Sequence, residues 1–170
     1  LHDYQKQRVL TFLDPSQDSL GSGYHIMQSK IALGSGGLFG KGFLKGSQSH
    51  LNFLPEKQTD FIFTMIGEEF GLAGGLLVIM IFTLLMLYGY VISFLQSSQF
   101  SRLVCSGVVF MLFSYVFVNI AMVSGIIPVV GAPLPLISYG GTSMLTIFIS
   151  FGLIMSASVH KQITLEEKAF

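Results

Sequence analysis

The chain has 170 residues, of which 51% are hydrophobic and 11% are charged, and its mean hydropathy is +0.68. Soluble domains carry about 25% charged residues, so this composition indicates a polytopic membrane protein. The formal net charge is zero, which excludes the basic footprint of a nucleic-acid-binding protein. The single cysteine, Cys105, cannot form an intramolecular disulfide.

Residues 1–59 contain no segment that is long and apolar enough to cross a membrane. The chain opens in what reads as the middle of a loop, so we expect a fragment whose upstream part is missing. Tyr24, Met27 and Ile31 follow a helical spacing and predict a short amphipathic helix that ends at Gly34. This helix either lies in the membrane interface or packs as a surface helix within the loop.

A glycine-rich stretch, GSGGLFGKG, occupies residues 34–42. It lacks the GxxxxGK(S/T) spacing of a phosphate-binding loop, and no strand pattern precedes it. We therefore interpret it as a flexible turn rather than as a phosphate cradle.

Three apolar runs follow, at about 72–95, 103–124 and 136–159. Each is long enough for a helix that crosses a hydrocarbon core of about 30 Å. A chain in lipid must satisfy its own backbone hydrogen bonds, so all three runs are predicted to be helices and the fold to be all-α. The proline-rich link between the last two, residues 125–135, predicts either a turn or an irregular segment that lines a cavity.

The stretch from Phe53 to Gly71 is where acidic residues meet an aromatic, apolar run. A carboxyl group at the edge of hydrocarbon, such as that of Asp60, is costly to place. One interpretation is that Thr59 or Asp60 caps a helix that runs into the first apolar run. The other is that Asp60 is a general base, whose pKa is raised by burial against aromatic rings and by Glu56 one helical turn earlier.

Further polar residues lie in or beside the apolar runs. Glu68 and Glu69 are expected to be interfacial charges at the head of the first run, and Asn119 is expected to make an interhelical hydrogen bond. The four histidines are scattered along the chain, so no metal site is predicted. Small and hydroxyl-bearing residues at the start of the third run either allow close helix approach or line a polar cavity: Ser138, Tyr139, Gly140, Gly141, Thr142 and Ser143.

Two stretches, LPEKQTDFIFTMIGEEFG (54–71) and GIIPVVGAPLPLISYGGTS (125–143), closely resemble the SEDS family, named for shape, elongation, division and sporulation. The stretches at 8–37 and 115–125 do so too, and the resemblance extends from residue 1 to about residue 161. It is closest to the elongation members, because the link reads PVVG where many division members have PTKG. Gln58 stands where many members have histidine.

The resemblance implies a protein of ten membrane helices, of which this chain is the C-terminal part. Residues 1–71 would be an extracytoplasmic loop with the active-site motif, 72–159 the last three helices, and 160–170 a cytoplasmic tail. A count of Lys and Arg over the whole N-terminal segment would instead place that segment in the cytoplasm. The short flanks favour the orientation that the family implies, since Arg102 and Lys161 lie on one side and the proline-rich link has no basic residue.

SEDS proteins are peptidoglycan glycosyltransferases, which polymerise lipid II at the outer face of the bacterial cytoplasmic membrane and release undecaprenyl pyrophosphate. The resemblance implies that Asp60, which matches the family's essential aspartate, is the catalytic base. Arg8 matches an arginine of the family, and Arg8 or Lys30 is expected to stabilise the anionic leaving group. Glu56 is expected to assist the base. The expected substrate-binding residues are Arg8, Lys30, Glu56, Ser138, Tyr139, Gly140 and Gly141.

The partners that the resemblance implies are lipid II, a class B penicillin-binding protein (a transpeptidase) and other proteins of the cell-wall elongation complex. Gly74, Gly75 and the neighbouring apolar residues would offer the docking face. The sequence assigns no cofactor, although a pyrophosphate substrate suits Mg²⁺ or Mn²⁺. The rival functions are a lipid II flippase and a non-catalytic scaffold. We expect residues 1–170 alone to be inactive.

Overall fold

A computed structural model describes residue 11, residues 21–46 and residues 58–167. Within these residues the chain forms four helices and no strand, which confirms the predicted all-α class. The helices are α1 (Ser22–Ser35), α2 (Ile62–Phe94), α3 (Gln99–Val123) and α4 (Gly141–Glu167). By length and composition α2, α3 and the Gly141–Val159 part of α4 could each cross a membrane.

The ends of the first and third apolar helices differ from the prediction. Helix α2 begins at Ile62 rather than 72, because it continues across an interruption at Gly71. Helix α4 begins at Gly141 rather than 136, since Leu136 has a left-handed φ of 62° that cannot start a helix. It also continues to Glu167, through most of the segment predicted as a polar tail.

Helix α1 packs against α2 through a face that differs from the predicted one. Ile26, Ser29 and Ala32 are buried, whereas Met27 and Ile31 of the predicted apolar stripe are exposed. The predicted helix therefore exists, but its buried face combines Ile26 with the small residues Ser29 and Ala32. Such residues allow two helix backbones to approach closely.

The side chain of Ser29 joins three helices. Its hydroxyl lies 2.7 Å from the Thr64 hydroxyl on α2 and donates to the main-chain carbonyl of Val123, at the end of α3, over 2.7 Å. Ser29 is fully buried, so these bonds do not compete with water.

The core lies mainly between α2 and α3, and α4 packs chiefly against α3. Leu134, in the proline-rich link, is a member of this core, so the link is packed into the fold rather than lying outside it. The buried core residues are Phe61, Phe63, Val78, Phe82, Val116, Met122, Val123 and Leu134.

Helix α2 is interrupted at Gly71, where φ is 68° and ψ is −161°. In an uninterrupted helix the amides of Leu72 and Ala73 would donate to the carbonyls of Glu68 and Glu69. These four main-chain groups instead bond to the glycine-rich loop after α1, residues 36–42.

The glycine-rich loop supplies one partner for each of the four groups. The two α2 amides donate to the carbonyls of Gly37 (2.9 Å) and Leu38 (3.1 Å). The two α2 carbonyls accept from the amides of Lys41 and Gly42, both at 3.0 Å. The stretch forms a turn at residues 36–39, as predicted, and its main chain is inserted into the hydrogen-bond ladder of α2.

Glycine is required where the two main chains approach most closely. A Cβ atom on Gly36 would overlap the carbonyl of Gly67, and one on Gly40 would overlap that of Glu69. Gly40 also has a left-handed φ of 77°, a conformation that other residues rarely adopt.

An ion pair accompanies this main-chain contact. Lys41 Nζ lies 2.8 Å from Glu68 Oε1, and the Glu68 side chain is fully buried whereas that of Lys41 is 29% exposed. The prediction of an interfacial charge is therefore wrong for Glu68, because a buried carboxylate needs a partner in the protein. Glu69 remains partly exposed.

We expect Gly40→Ala to lower the free energy of unfolding by about 1–3 kcal/mol, since it combines backbone strain with overlap against a main-chain carbonyl. Gly34→Ala is the matched control, because no atom lies within 4 Å of a Cβ built there. Thermal unfolding of the full-length protein in detergent measures both. Equal melting temperatures for the two variants would contradict the inserted-loop geometry.

Lys41→Met should lower the free energy of unfolding by about 3–5 kcal/mol, because it leaves the buried Glu68 carboxylate without its ammonium partner. The double variant Lys41→Met/Glu68→Leu removes both charges and should recover much of that loss. Denaturant unfolding of the single and double variants measures the coupling. Additive losses would show that the two side chains act independently.

Candidate active site

The turn that leads into α2, residues 58–60, lies against the proline-rich link, which the structure extends to residues 124–140. All three main-chain carbonyls of this turn accept hydrogen bonds. The carbonyl of residue 58 accepts from the Tyr139 amide (2.8 Å), that of residue 59 from the Ser138 hydroxyl, and that of residue 60 from the Asn119 side chain (2.8 Å). Two stretches far apart in the sequence are thereby held together.

Asn119 is fully buried near the end of α3. Its Nδ2 atom donates to the main-chain carbonyl of Asp60 (2.8 Å) and to that of Ala132 (2.7 Å). The prediction of an interhelical bond is therefore wrong for these two contacts, since both acceptors belong to irregular main chain. An asparagine inside an apolar run and shortly before a proline-rich segment is the only sequence signal of this role.

Ser138 is buried in the turn that precedes α4 and not within the third apolar helix. Its hydroxyl donates to the Thr59 carbonyl and accepts from the Leu134 amide (2.7 Å). The Ser138 amide in turn donates to the Leu134 carbonyl (2.9 Å). One side chain thus closes the turn of the link and attaches it to the turn before α2.

Asp60 is half-buried, and its carboxylate faces the link at Gly131. A Cβ atom on Gly131 would lie 3.2 Å from Asp60 Oδ2, and Gly131 has a left-handed φ of 76°. Phe61 occupies the N-cap position of α2, so neither Thr59 nor Asp60 caps the helix from that position. The carboxylate therefore lies at the link.

Two aromatic side chains follow this carboxyl-bearing turn in the sequence. Phe61 and Phe63 are both buried in the core. The ring of His25 on α1 lies 6.2 Å from that of Phe61, so this histidine belongs to a packed helix near the site. Sequence reasoning did not connect His25 with Asp60, because no periodicity relates α1 to α2.

The other predicted substrate-binding residues are distributed around the link. Lys30 is exposed on α1, and the end of its side chain packs against Gly125, where the link begins. Tyr139 has a largely exposed side chain, and Gly140 and Gly141 lie where the link meets α4. Arg8 and Glu56 lie outside the described residues.

A cavity of about 460 Å³ lies between α3, the link and the start of α4. Gly131, which faces the Asp60 carboxylate, is part of its wall, together with Tyr115, Pro133, Thr142 and Thr146. Among the side chains that the structure describes, no three His, Cys, Asp or Glu residues come together as metal ligands would.

The FtsW/RodA/SpoVE family model, described as a cell cycle protein, matches residues 1–163. The chain belongs to this family. MrdB of Escherichia coli K12, named a peptidoglycan glycosyltransferase, is 54% identical over 162 residues, which are 95% of this chain and 44% of that protein. RodA of Treponema pallidum, which carries the same activity name, is 44% identical over 161 residues, or 95% of this chain and 37% of that protein.

The stage V sporulation protein E of Bacillus subtilis is 40% identical over 159 residues, or 94% of this chain and 43% of that protein. A chain of a solved peptidoglycan synthase complex, which coordinates polymerization and crosslinking, matches with a TM-score of 0.76 and 29% identity, over 95% of this chain and 43% of that one. The resemblance to the SEDS family is thus confirmed. The chain spans less than half the length of these relatives.

We expect Ser138→Ala to lower the free energy of unfolding by about 1–3 kcal/mol, because it removes the acceptor of the buried Leu134 amide and the hydroxyl that donates to the Thr59 carbonyl. Ser114→Ala removes a hydroxyl that bonds only within α3 and should stay within about 0.5 kcal/mol of wild type. Denaturant unfolding of the full-length protein compares them. Similar losses in both variants would contradict the role given to Ser138.

Proposed function

We propose that the full-length protein is a peptidoglycan glycosyltransferase, which joins lipid II disaccharides into glycan strands during cell elongation. The observation that carries the proposal is the Asp60 carboxylate, held at the link by hydrogen bonds to its own main chain and to its neighbours. The relatives named peptidoglycan glycosyltransferases support it, because they match this chain across the whole site.

In this proposal Asp60 is the general base. It takes the proton from the 4-hydroxyl of the acceptor sugar while that oxygen attacks the anomeric carbon of the donor. The bond from the anomeric carbon to the pyrophosphate oxygen breaks, and undecaprenyl pyrophosphate leaves with the electron pair. Arg8 and Lys30 would stabilise the negative charge of the leaving group by charge-assisted hydrogen bonds, and Glu56 would assist the base.

The exposed groups along the link would contact the sugar or the pyrophosphate. Tyr139, Gly140 and Gly141 fit this role, because they lie at the junction of the link and α4, next to the turn that bears Asp60. Ser138 is buried, so it would act through the main chain of that turn and not by touching the substrate.

The proposed location is the bacterial cytoplasmic membrane, with residues 1–71 outside the cytoplasm and the C-terminus inside it. The three apolar helices support the membrane location. The orientation is supported by the basic residues that flank the short connections, Arg102 and Lys161.

The proposed partner is a class B penicillin-binding protein, together with other proteins of the elongation complex. Its docking face would be α2 and α3, including Gly74, whereas Gly75 is buried within the fold beside Phe63. An apolar groove of about 790 Å³ lies between these helices further along, with Met86, Leu103 and Phe110 in its walls. The related synthase complex, which couples polymerization to crosslinking, supports a partnership of this kind.

Asp60→Asn should reduce polymer formation from lipid II by about 100-fold or more, because the amide cannot accept the proton. Glu69→Gln is the matched control, since this partly exposed carboxylate lies beyond the site and its loss should leave the rate nearly unchanged. The assay uses purified full-length protein in detergent, which has no second compartment. Gel analysis of labelled glycan reads the product.

The outcomes separate the candidate functions. Polymer made in detergent by the wild type excludes a protein that acts only as a flippase or a scaffold. A wild type that makes no polymer contradicts the proposed function. An active Asp60→Asn variant contradicts the base assignment alone.

A further inference from the structure

We propose that Asn119 is a positioning residue for this reaction. Its side-chain amide would fix the Asp60 carboxylate relative to the proline-rich link by holding both main chains at once. The kinetic part of this inference rests on the proposed function, whereas its structural part rests on the hydrogen bonds alone.

Two hydrogen bonds from one nitrogen carry the inference. Asn119 Nδ2 donates to the carbonyl of Asp60 (2.8 Å) and to that of Ala132 (2.7 Å). Ala132 directly follows Gly131, the residue that the Asp60 carboxylate faces. The amide therefore connects the residue that bears the carboxylate to the neighbour of the residue opposite it.

Few side chains can replace this amide. A neutral nitrogen with two N–H donors occurs only in asparagine and glutamine, whereas a hydroxyl offers one donor and an ionised carboxylate none. A lysine would bring a charge into a fully buried position, which is costly. The amide orientation is also determined, since a flipped amide would set Oδ1 of Asn119 against two carbonyl oxygens.

The second amide atom agrees with this orientation. Oδ1 of Asn119 is buried and has no hydrogen-bond partner among the described residues. A buried acceptor in this state is unfavourable, so the favourable contacts of the amide are those of its two hydrogens.

Position matters for a base that acts on a bound sugar, because a misplacement of about 1 Å can lower a rate by about 100-fold. Ser138 and Tyr139 hold the two carbonyls before Asp60, and Asn119 holds that of Asp60 itself. Asn119 is built on the last two turns of α3, a regular helix packed in the core. The helix therefore supplies a rigid reference for an irregular turn.

The test compares Asn119→Leu with wild type in the full-length protein. Leucine has a similar size and no donor, so the two main chains should separate. We expect faster hydrogen exchange at two amides: that of Tyr139, which donates to the Gln58 carbonyl across the contact, and that of Leu134, which donates to the Ser138 hydroxyl within the link. We also expect kcat to fall by about tenfold or more while the KM for lipid II changes by less than about threefold.

Two further variants make the test specific. Asn119→Gln keeps a two-donor amide and should recover part of kcat, whereas Asn119→Asp should not. Ser29→Ala is the matched control: it also removes buried bonds that join helices, to Thr64 and Val123. It should lower the melting temperature without changing kcat or the exchange of the two reporter amides.

Three results would overturn the inference. One is an unchanged kcat in Asn119→Leu together with faster exchange, which would make the contact purely structural. Another is a rise in KM that accounts for the whole loss of kcat/KM, which would indicate substrate binding. The third is unchanged exchange at both reporter amides, which contradicts the positioning contact even if the wild type makes no polymer and the proposed function fails.

Discussion

The need to satisfy main-chain hydrogen bonds away from water governs this structure. Apolar helices can cross a membrane because their backbone groups pair internally, and irregular backbone beside them must find other partners. Two irregular segments lie against the helices here, the glycine-rich loop and the proline-rich link. Each segment finds its hydrogen-bond partners in a different way, and the two sets of bonds together determine where Asp60 lies.

The glycine-rich loop finds its partners with main chain alone. It enters the hydrogen-bond ladder of α2 at Gly71 and pairs with the four main-chain groups of α2 that have no helical partner there. Glycines make this approach sterically accessible, and the ion pair of the partly exposed Lys41 with the buried Glu68 adds a charged contact beside it. The short helical segment from Ile62 to Gly71 is consequently held at its far end, two to three turns beyond the carboxyl-bearing residue.

Residue patterns predicted the apolar helices, because the length of an apolar run is a local property of the sequence. The convergence of the two stretches around Asp60 and the link was expected from the family resemblance. The burial of Glu68, the exposed Met27 on α1 and the late start of α4 were not predicted. Each depends on a partner distant in sequence or on a backbone angle at one residue, and neither leaves a periodic signal.

The sequence predicted the role of some residues near the site and not of others, and the difference has a physical reason. Asp60 could be singled out because a carboxyl group beside aromatic residues at a membrane boundary is unusual in itself. The hydrogen-bond acceptors of Asn119 could not be predicted, since a polar side chain within an apolar run has several equally good acceptors until the fold is known. Which side chains donate hydrogen bonds to a site depends on the main-chain carbonyls that lie near them, and the positions of those carbonyls are known only from the structure.

The composition of the link explains why side chains hold it. Its three prolines, Pro128, Pro133 and Pro135, have no amide hydrogen, so the segment offers more acceptors than donors. One main-chain bond joins the link to the turn before α2, from the Tyr139 amide to the Gln58 carbonyl, and side chains supply further donors. Asn119 donates to the link carbonyl of Ala132 and to the carbonyl of Asp60, whereas Ser138 donates from the link to the carbonyl of Thr59. The Asp60 carboxylate is thus held beside Gly131 largely by side-chain donors, because a link with three prolines has few amide donors of its own.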